Sequence, residues 1–275
     1  MTEDRVSFGI LLRQWRQRRR LTQLDLAVTA ETSTRHLSFL ETGRAQPSRE
    51  IVLRLCECLD IPLRERNAVL LGAGFAPAFR ETSLSLLTPV REAIERVVEA
   101  HKPYPAFAVD RRWNIVASNR AIPQLYADVS PELLRPPVNA MRLTLHPQGL
   151  APSIINFAEW RAHQIADLRR AVETSGDAGV QAILTEVLTY PAPLARVAKE
   201  PLDEAHRFAT PLRIATAHGV LTFLSTTTVF GTPIDVTLSE LALEMLLPAD
   251  KRTIAIVEAL AKEEVVANLG RSAQV

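Results

Sequence analysis

The sequence predicts an α+β protein in two parts: an N-terminal all-α domain of five short helices, and a C-terminal domain with an antiparallel sheet and helices. Three observations carry this. From Phe8 to Leu71 the apolar residues recur only at helical spacing, interrupted by caps, glycines and a proline. Near residues 106–118 and 212–247 they form short runs rich in valine, isoleucine and threonine, bounded by turn signals. Between these strand regions lie longer amphipathic segments of helical period. The 275 residues are enough for two domains of ordinary size. The expected division is a first domain at 1–76, a connector and helix at 77–102, and a second domain at 103–275.

Composition narrows the class. Hydrophobic residues make up 47% and charged residues 23% of the chain, which is globular usage. Charges or prolines interrupt every apolar run before it could span a bilayer. The start, MTEDRVSFGI, lacks the basic-then-apolar order of a secretory signal. The expected location is the cytoplasm, with no membrane partner. The two cysteines, Cys56 and Cys58, stand two apart on a predicted helix and point to different faces. They read as small apolar side chains in a reducing compartment. The net charge of +1 hides an uneven distribution: residues 1–49 carry nine Lys/Arg against five Asp/Glu, residues 77–275 twenty against twenty-two. A basic front on a mildly acidic body suits an anionic partner for the front alone.

Phe8, Leu11, Leu12 and Trp15 give the first helix its apolar face, with Ser7 as N-cap. It ends in Arg16, Arg18, Arg19 and Arg20, which suit the helix dipole and equally a phosphate. Thr22 caps a second helix from about Gln23 to Thr29, expected to turn Leu24, Ala27 and Val28 inward with Leu21 as staple. After Ala30-Glu31-Thr32, Thr32 or Ser33 caps a third helix reaching about Thr42. There Leu37 and Leu40 pack inward, and Gly43 closes the helix in a left-handed conformation. Ser48 caps a fourth helix with Ile51, Val52, Leu55 and Leu59 on its buried stripe. Pro62 separates it from a fifth, Leu63 to Leu71, ending at Gly72 and Gly74. A pair of short helices joined by a tight turn, with polar residues on the outer face of the second, is how a helix-turn-helix enters a major groove. The candidate DNA contacts are Gln23, Ser33, Thr34, Arg35, His36, Ser38 and Arg44. Arg35 is placed to take a guanine bidentately, and Gln23 and Arg44 to take phosphates.

The stretches LRQWRQRRRLTQLDLA and TSTRHLSFLETGRAQPSREIVLRLCECLDIPLRERNAVLLGAGFAP make residues 8–76 resemble the Xre, or lambda-repressor-like, family of bacterial helix-turn-helix regulators. The resemblance implies double-stranded DNA as partner, bound as a homodimer on half-sites about 34 Å apart.

The join around Ala76-Pro77-Ala78 lacks the Gly/Ser richness of a free tether. A helix from about Pro89 to Ala100, with Val90, Ile94, Val97 and Val98 on one face, leads into the second domain. Ala106–Val109 and Ile115–Ser118 form a hairpin across DRRWN, and Asn119 is expected to cap a helix holding Ile122, Leu125 and Tyr126. Residues 131–148 are proline-rich and include Met141, Leu143 and Leu145. Two helices follow, Asn156 to about Thr174 and Gln181 to Leu188, then turns at Pro191, Pro193, Pro201 and Pro211. Strands return at Leu212–Thr216 and Val220–Phe230 about a turn at His218-Gly219. Ile234 to Leu247 holds further strand, and a last helix covers Lys251 to Leu269. Hairpin, helices and a return to strands make a PAS-like order.

PYPAFAVDRRWNIVASNRA, NAMRLTLHPQGLAPSIINFAEW and GVLTFLSTTTVFGTPIDVTLSELALEMLLPAD make residues 103–250 similar to the MmyB-like ligand-binding domain of actinobacterial and related regulators. The resemblance implies a PAS-like fold and, from a member that holds a fatty acid in its core, a small apolar ligand of that kind. Phe157 departs from the family, which more often has tryptophan there. A dozen buried methylenes at about 0.8 kcal/mol each would supply roughly 10 kcal/mol before ordering costs. The candidate ligand residues are Phe107, Trp113, Phe157, Trp160 and Phe223 for the chain, with Leu143, Leu224 and Met245 as further lining. Arg142, His146, Asn119 and Asn156 are the candidates for a polar head. Each apolar candidate reads equally as plain core.

No nucleophile elbow, phosphate loop or H-E-x-x-H occurs, and His101, His146, His163, His206 and His218 are scattered without metal-ligand spacing. Arg161 to Arg170 reads as a solvated helix face. The expectation is therefore no catalytic residues, no metal and no cofactor. The sequence leaves two functions open: a ligand-responsive regulator, or a constitutive DNA-binding regulator whose second domain is a protein-interaction or dimerisation module.

Overall fold

The computed structural model describes residues 7–119, 121, 125, 128–193 and 209–272, the last helix by its backbone alone from residue 263. The chain divides into two compact units. One holds the described residues up to Ser83 with Ala171–Gly176 and Thr232–Ser239; the other holds Leu84–Arg170, Asp177–Gly231 and the residues from Glu240 onward.

Five helices build the first unit: α1 Phe8–Arg18, α2 Gln23–Thr29, α3 Thr34–Glu41, α4 Arg49–Cys58 and α5 Leu63–Gly72. Their starts are fixed chemically. Thr22 and Asp25 form a reciprocal capping box at α2, and Ser33 and Ser48 accept from the amides of His36 and Ile51 at α3 and α4. Ser7 occupies the cap position of α1 without a side-chain hydrogen bond. α3 ends in a Schellman turn: Arg44 N–H donates to the Phe39 carbonyl and Gly43 N–H to Leu40, with Gly43 at φ +72°. The core joins Phe8, Leu12 and Trp15 to Leu26, Leu37, Leu40, Leu55 and Leu70. Leu24 and Val28, expected inside, are 61% and 70% exposed; α2 buries Leu26 and Ala27 instead. Gly9 lets α1 approach α3, since a Cβ there would lie 2.5 Å from the Glu41 carbonyl oxygen.

The second unit is built on a five-stranded sheet, β1 Ala106–Val109, β2 Ile115–Ser118, β3 Leu212–Thr216, β4 Gly219–Val229 and β5 Ala242–Pro248. The order is β2-β1-β5-β4-β3, with antiparallel neighbours throughout. The first hairpin thus lies beside the last strand, in the PAS-like manner expected. Helix α6, Thr88–Ala100, packs on β1 and β2 through Ile94 and Val98, while Val97 stays exposed. Then come α7 Ala140–Leu145, α8 Phe157–Ser175, whose last residues belong to the first unit, and α9 Ala178–Leu188; a single turn of the first unit, α10 Val236–Ser239, precedes β5, and α11 Lys251–Ser272 follows it. Asn139 caps α7 and also ties it to the β1–β2 turn, donating to Arg112 O (2.7 Å) and Asn114 Oδ1 (3.1 Å). The helix expected at Ile122–Tyr126 lies, apart from Ala121 and Leu125, outside the described residues, as do Pro201 and His206.

Candidate functional site

On the first unit, α3 presents a polar face. Arg35 is exposed, and Thr34, His36 and Ser38 are partly so; Leu37 and Leu40 are buried beneath them. The Arg35 guanidinium lies 5.4 Å from the centre of the Phe39 ring and makes no ion pair among the described residues. Arg44, past the Schellman turn, is also exposed. Two expected contacts have other work. Ser33 Oγ accepts the α3 capping bond (3.1 Å). Gln23, half-buried, donates through Nε2 to Glu41 Oε2 (2.9 Å).

Glu41 is the hub of this region. Arg16 grips it through Nε (2.6 Å) and Nη2 (2.9 Å) and sends Nη1 to the Leu21 carbonyl (2.8 Å). Burial alone would raise the Glu41 carboxyl. Hydrogen bonds from Arg16 and Gln23, with the charges of Arg16 and Arg13, outweigh it and hold the group below its ordinary value. Arg19 binds the carbonyls of Leu59 (2.8 Å) and Asp60 (2.6 Å). Of the basic cluster ending α1, two arginines are therefore committed to the fold. In the same unit, burial pushes the Cys56 thiol up to about 12, which suits the apolar role expected of it.

The second unit holds a cavity of about 530 Å³, partly open to solvent and within the usual range for small-ligand sites. The sheet supplies one wall: Phe107 and Val109 from β1, Leu212 and Ile214 from β3, Ser225 and Thr227 from β4, and Ala242, Glu244 and Leu246 from β5. Met141 and Thr144 of α7 and Trp160, His163, Gln164 and Asp167 of α8 face it. Trp113, in the β1–β2 turn at φ +59°, lines it as well; a bulky residue in that region is held by its surroundings, here an Asp110 carboxylate accepting from the amides of Arg112 (2.8 Å) and Asn114 (2.9 Å).

Three of the nine expected ligand residues, Phe107, Trp113 and Trp160, meet at this cavity. The others sit elsewhere, for identifiable reasons. Asn119 is 1% exposed and spent on the backbone, donating to Tyr104 O (2.7 Å) and Val98 O (3.1 Å) and accepting from Ala106 N–H. Asn156 holds Pro211 O (2.8 Å) and the Arg213 amide (3.2 Å). Arg142 makes a bidentate pair with Glu186 (2.8 Å on both arms), which holds that carboxyl below its ordinary value. His146 stacks edge-on against Tyr190, its Nδ1 accepting from the Gln148 amide. Phe157, Phe223 and Leu143 are buried as core, and Leu224 and Met245, half-buried, do not line the cavity either.

The run Arg161 to Arg170 is solvated only in part, at Ala162, Arg169 and Arg170. His163, Gln164, Asp167 and Arg170 line the cavity, and Arg161 Nη2 caps the end of α9 through the carbonyls of Val187, Leu188 and Tyr190. The signal was present: with Trp160, residues 163, 164 and 167 stand at i+3, i+4 and i+7, on the side of α8 that carries a buried aromatic. Glu244 is the second residue missed. Its carboxylate accepts from Ser225 Oγ (3.0 Å) and Thr227 Oγ1 (2.8 Å), and burial raises it above the ordinary glutamate value. Among the described residues no group of three or more His, Cys, Asp or Glu is placed to hold a metal, and no helix is long and apolar enough to cross a membrane.

Comparison with known proteins agrees with both halves. Residues 90–260 match the family model of the MmyB-like transcription regulator ligand binding domain, and residues 7–69 match a helix-turn-helix domain. The transcriptional regulator ClgR of Mycobacterium tuberculosis, in strains CDC 1551 / Oshkosh and H37Rv, is 33% identical over 92 residues, covering 34% of this chain and 79% of that protein. The crystal structure of the clp gene regulator ClgR from Corynebacterium glutamicum is 28% identical, covering 35% of this chain and 90% of that chain, with a TM-score of 0.22.

Proposed function

Because the chain belongs to the family of MmyB-like transcription regulators, and is thus a DNA-binding regulator with a C-terminal domain of ligand-binding type, we propose that it reads a specific operator through α3 and senses a small, largely apolar molecule in the second unit's cavity. The proposed division of labour follows residues 1–76 and 103–275, joined by 77–102. Arg35, Thr34, His36 and Ser38 would contact base edges, and Arg44 a phosphate; Ser33 and Gln23 act by holding α3 in place. A homodimer on two half-sites about one helical turn apart is part of the reading. The fatty acid implied by the sequence resemblance remains one member of the ligand class, but its expected head-group residues Arg142, His146, Asn119 and Asn156 do not line the cavity.

One observation carries the DNA arm: an exposed arginine, with no ion pair among the described residues, stands on the outer face of the second helix of a helix-turn-helix. Selection of operators from a random duplex library tests it. Arg35→Ala should lose preference at one base pair of each half-site, and unchanged selectivity would remove α3 from the groove. The sensing arm rests on the cavity beside the sheet. Native mass spectrometry of the full chain before and after organic extraction should show a co-purifying molecule. A protein without one, whose operator binding no apolar compound alters, would be the constitutive regulator.

A further inference from the structure

A hydroxyl-rich, acidic strip runs across the cavity wall. Glu244 is paired in register with Phe107 on one side and Thr227 on the other, and Ser225 and Thr227 both donate to its carboxylate. Among the described residues no lysine or arginine lies within ion-pair distance of it. The lining arginines are engaged elsewhere, Arg111 with Asp177 (2.8 Å) and Glu240 (3.7 Å) and Arg170 with Asp167, and His163 lies 3.4 Å from Asp167.

Facing this strip, α8 sets Trp160, 4% exposed, and beside it His163, whose ring lies 5.6 Å from the indole ring. Asp167 and His163 both stand close enough to Glu244 to bear on its ionisation, the first favouring its protonated form and the second its ionised form. The cavity therefore offers a carboxyl able to accept a hydrogen bond, with apolar walls from Phe107, Met141 and Leu246.

Resting on the reading of this unit as a ligand sensor, we propose that the cavity takes an apolar molecule whose polar end is an uncharged hydroxyl, in preference to a fatty-acid carboxylate. A hydroxyl donates to Glu244. A carboxylate accepts only, and brings a second negative charge beside Glu244, where no described lysine or arginine lies within ion-pair distance to offset it.

The test titrates the full chain, stripped of co-purifying apolar molecules, with 1-dodecanol and with dodecanoate at neutral pH below their aggregation limits. Dodecanol should bind at least tenfold more tightly. In Glu244→Gln the gap should narrow threefold or more without a change in the circular dichroism. Dodecanoate binding within tenfold of dodecanol, or more tightly, overturns the proposal while leaving the sensor reading intact. A gap unchanged in a folded Glu244→Gln protein overturns the role given to that wall. If neither probe binds and nothing co-purifies, the sensor reading itself fails. The wild-type comparison decides the matter even if a variant does not fold.

Discussion

Arg35 and Arg16 show how one residue type serves opposite ends. Arg16 is 11% exposed and grips a Glu41 side chain that is 3% exposed; Arg35 is exposed and lies over the Phe39 ring. Removing Arg35 should leave folding intact and cost about 1–3 kcal/mol of discrimination at one base pair, measured by competition between operator variants. Removing the Glu41 charge should do the reverse. Glu41→Gln should destabilise the first unit by about 3 kcal/mol at neutral pH, because it leaves Arg16 without its counter-charge. Glu41 is held below its unfolded value of 4.5. Its contribution is therefore present above that value and lost as pH falls through the lower folded one. Urea unfolding of wild type and Glu41→Gln should differ at pH 7 and converge in acid; parallel curves across the range would contradict the assignment.

At the scale of elements, caps were the most legible feature. Thr22, Ser48 and Gly43 sit where hydroxyl-then-helix and helix-then-glycine patterns placed them, because a cap is a local bond that needs no tertiary context. The β1–β2 hairpin and the β3 range were equally readable from their apolar runs. α2 was not: in seven residues periodicity cannot choose a face, and the core took Leu26 rather than Leu24 and Val28. Within the candidate site, the aromatics Phe107, Trp113 and Trp160 were legible as apolar residues near strands and helix. The polar lining was not, since charged residues on α8 and a glutamate in a strand normally face water. Gly9→Ala should cost about 2 kcal/mol, because the backbone of α3 at Leu40 and Glu41 cannot retreat like a side chain. Thermal unfolding would show it, and a neutral result would mean that α1 and α3 tolerate a wider spacing.

For the whole molecule, the account joins a nucleotide-reading surface to a cavity whose occupancy alters it. A ligand held at a hundred times its dissociation constant stabilises its host by about 2.7 kcal/mol, so saturating 1-dodecanol should raise the midpoint of any unfolding transition that reports the sheet. Coupling between the two functions must be reciprocal: whatever factor ligand imposes on operator affinity, operator imposes on ligand affinity. The most direct measurement is the dissociation constant for the selected operator, at one fixed salt concentration, of stripped protein with and without saturating 1-dodecanol. The account predicts a difference of about fivefold or more, in either direction, abolished when the cavity is closed to ligand. Equal affinities in the presence of demonstrated binding would contradict it, leaving a regulator whose cavity does not govern its hold on DNA.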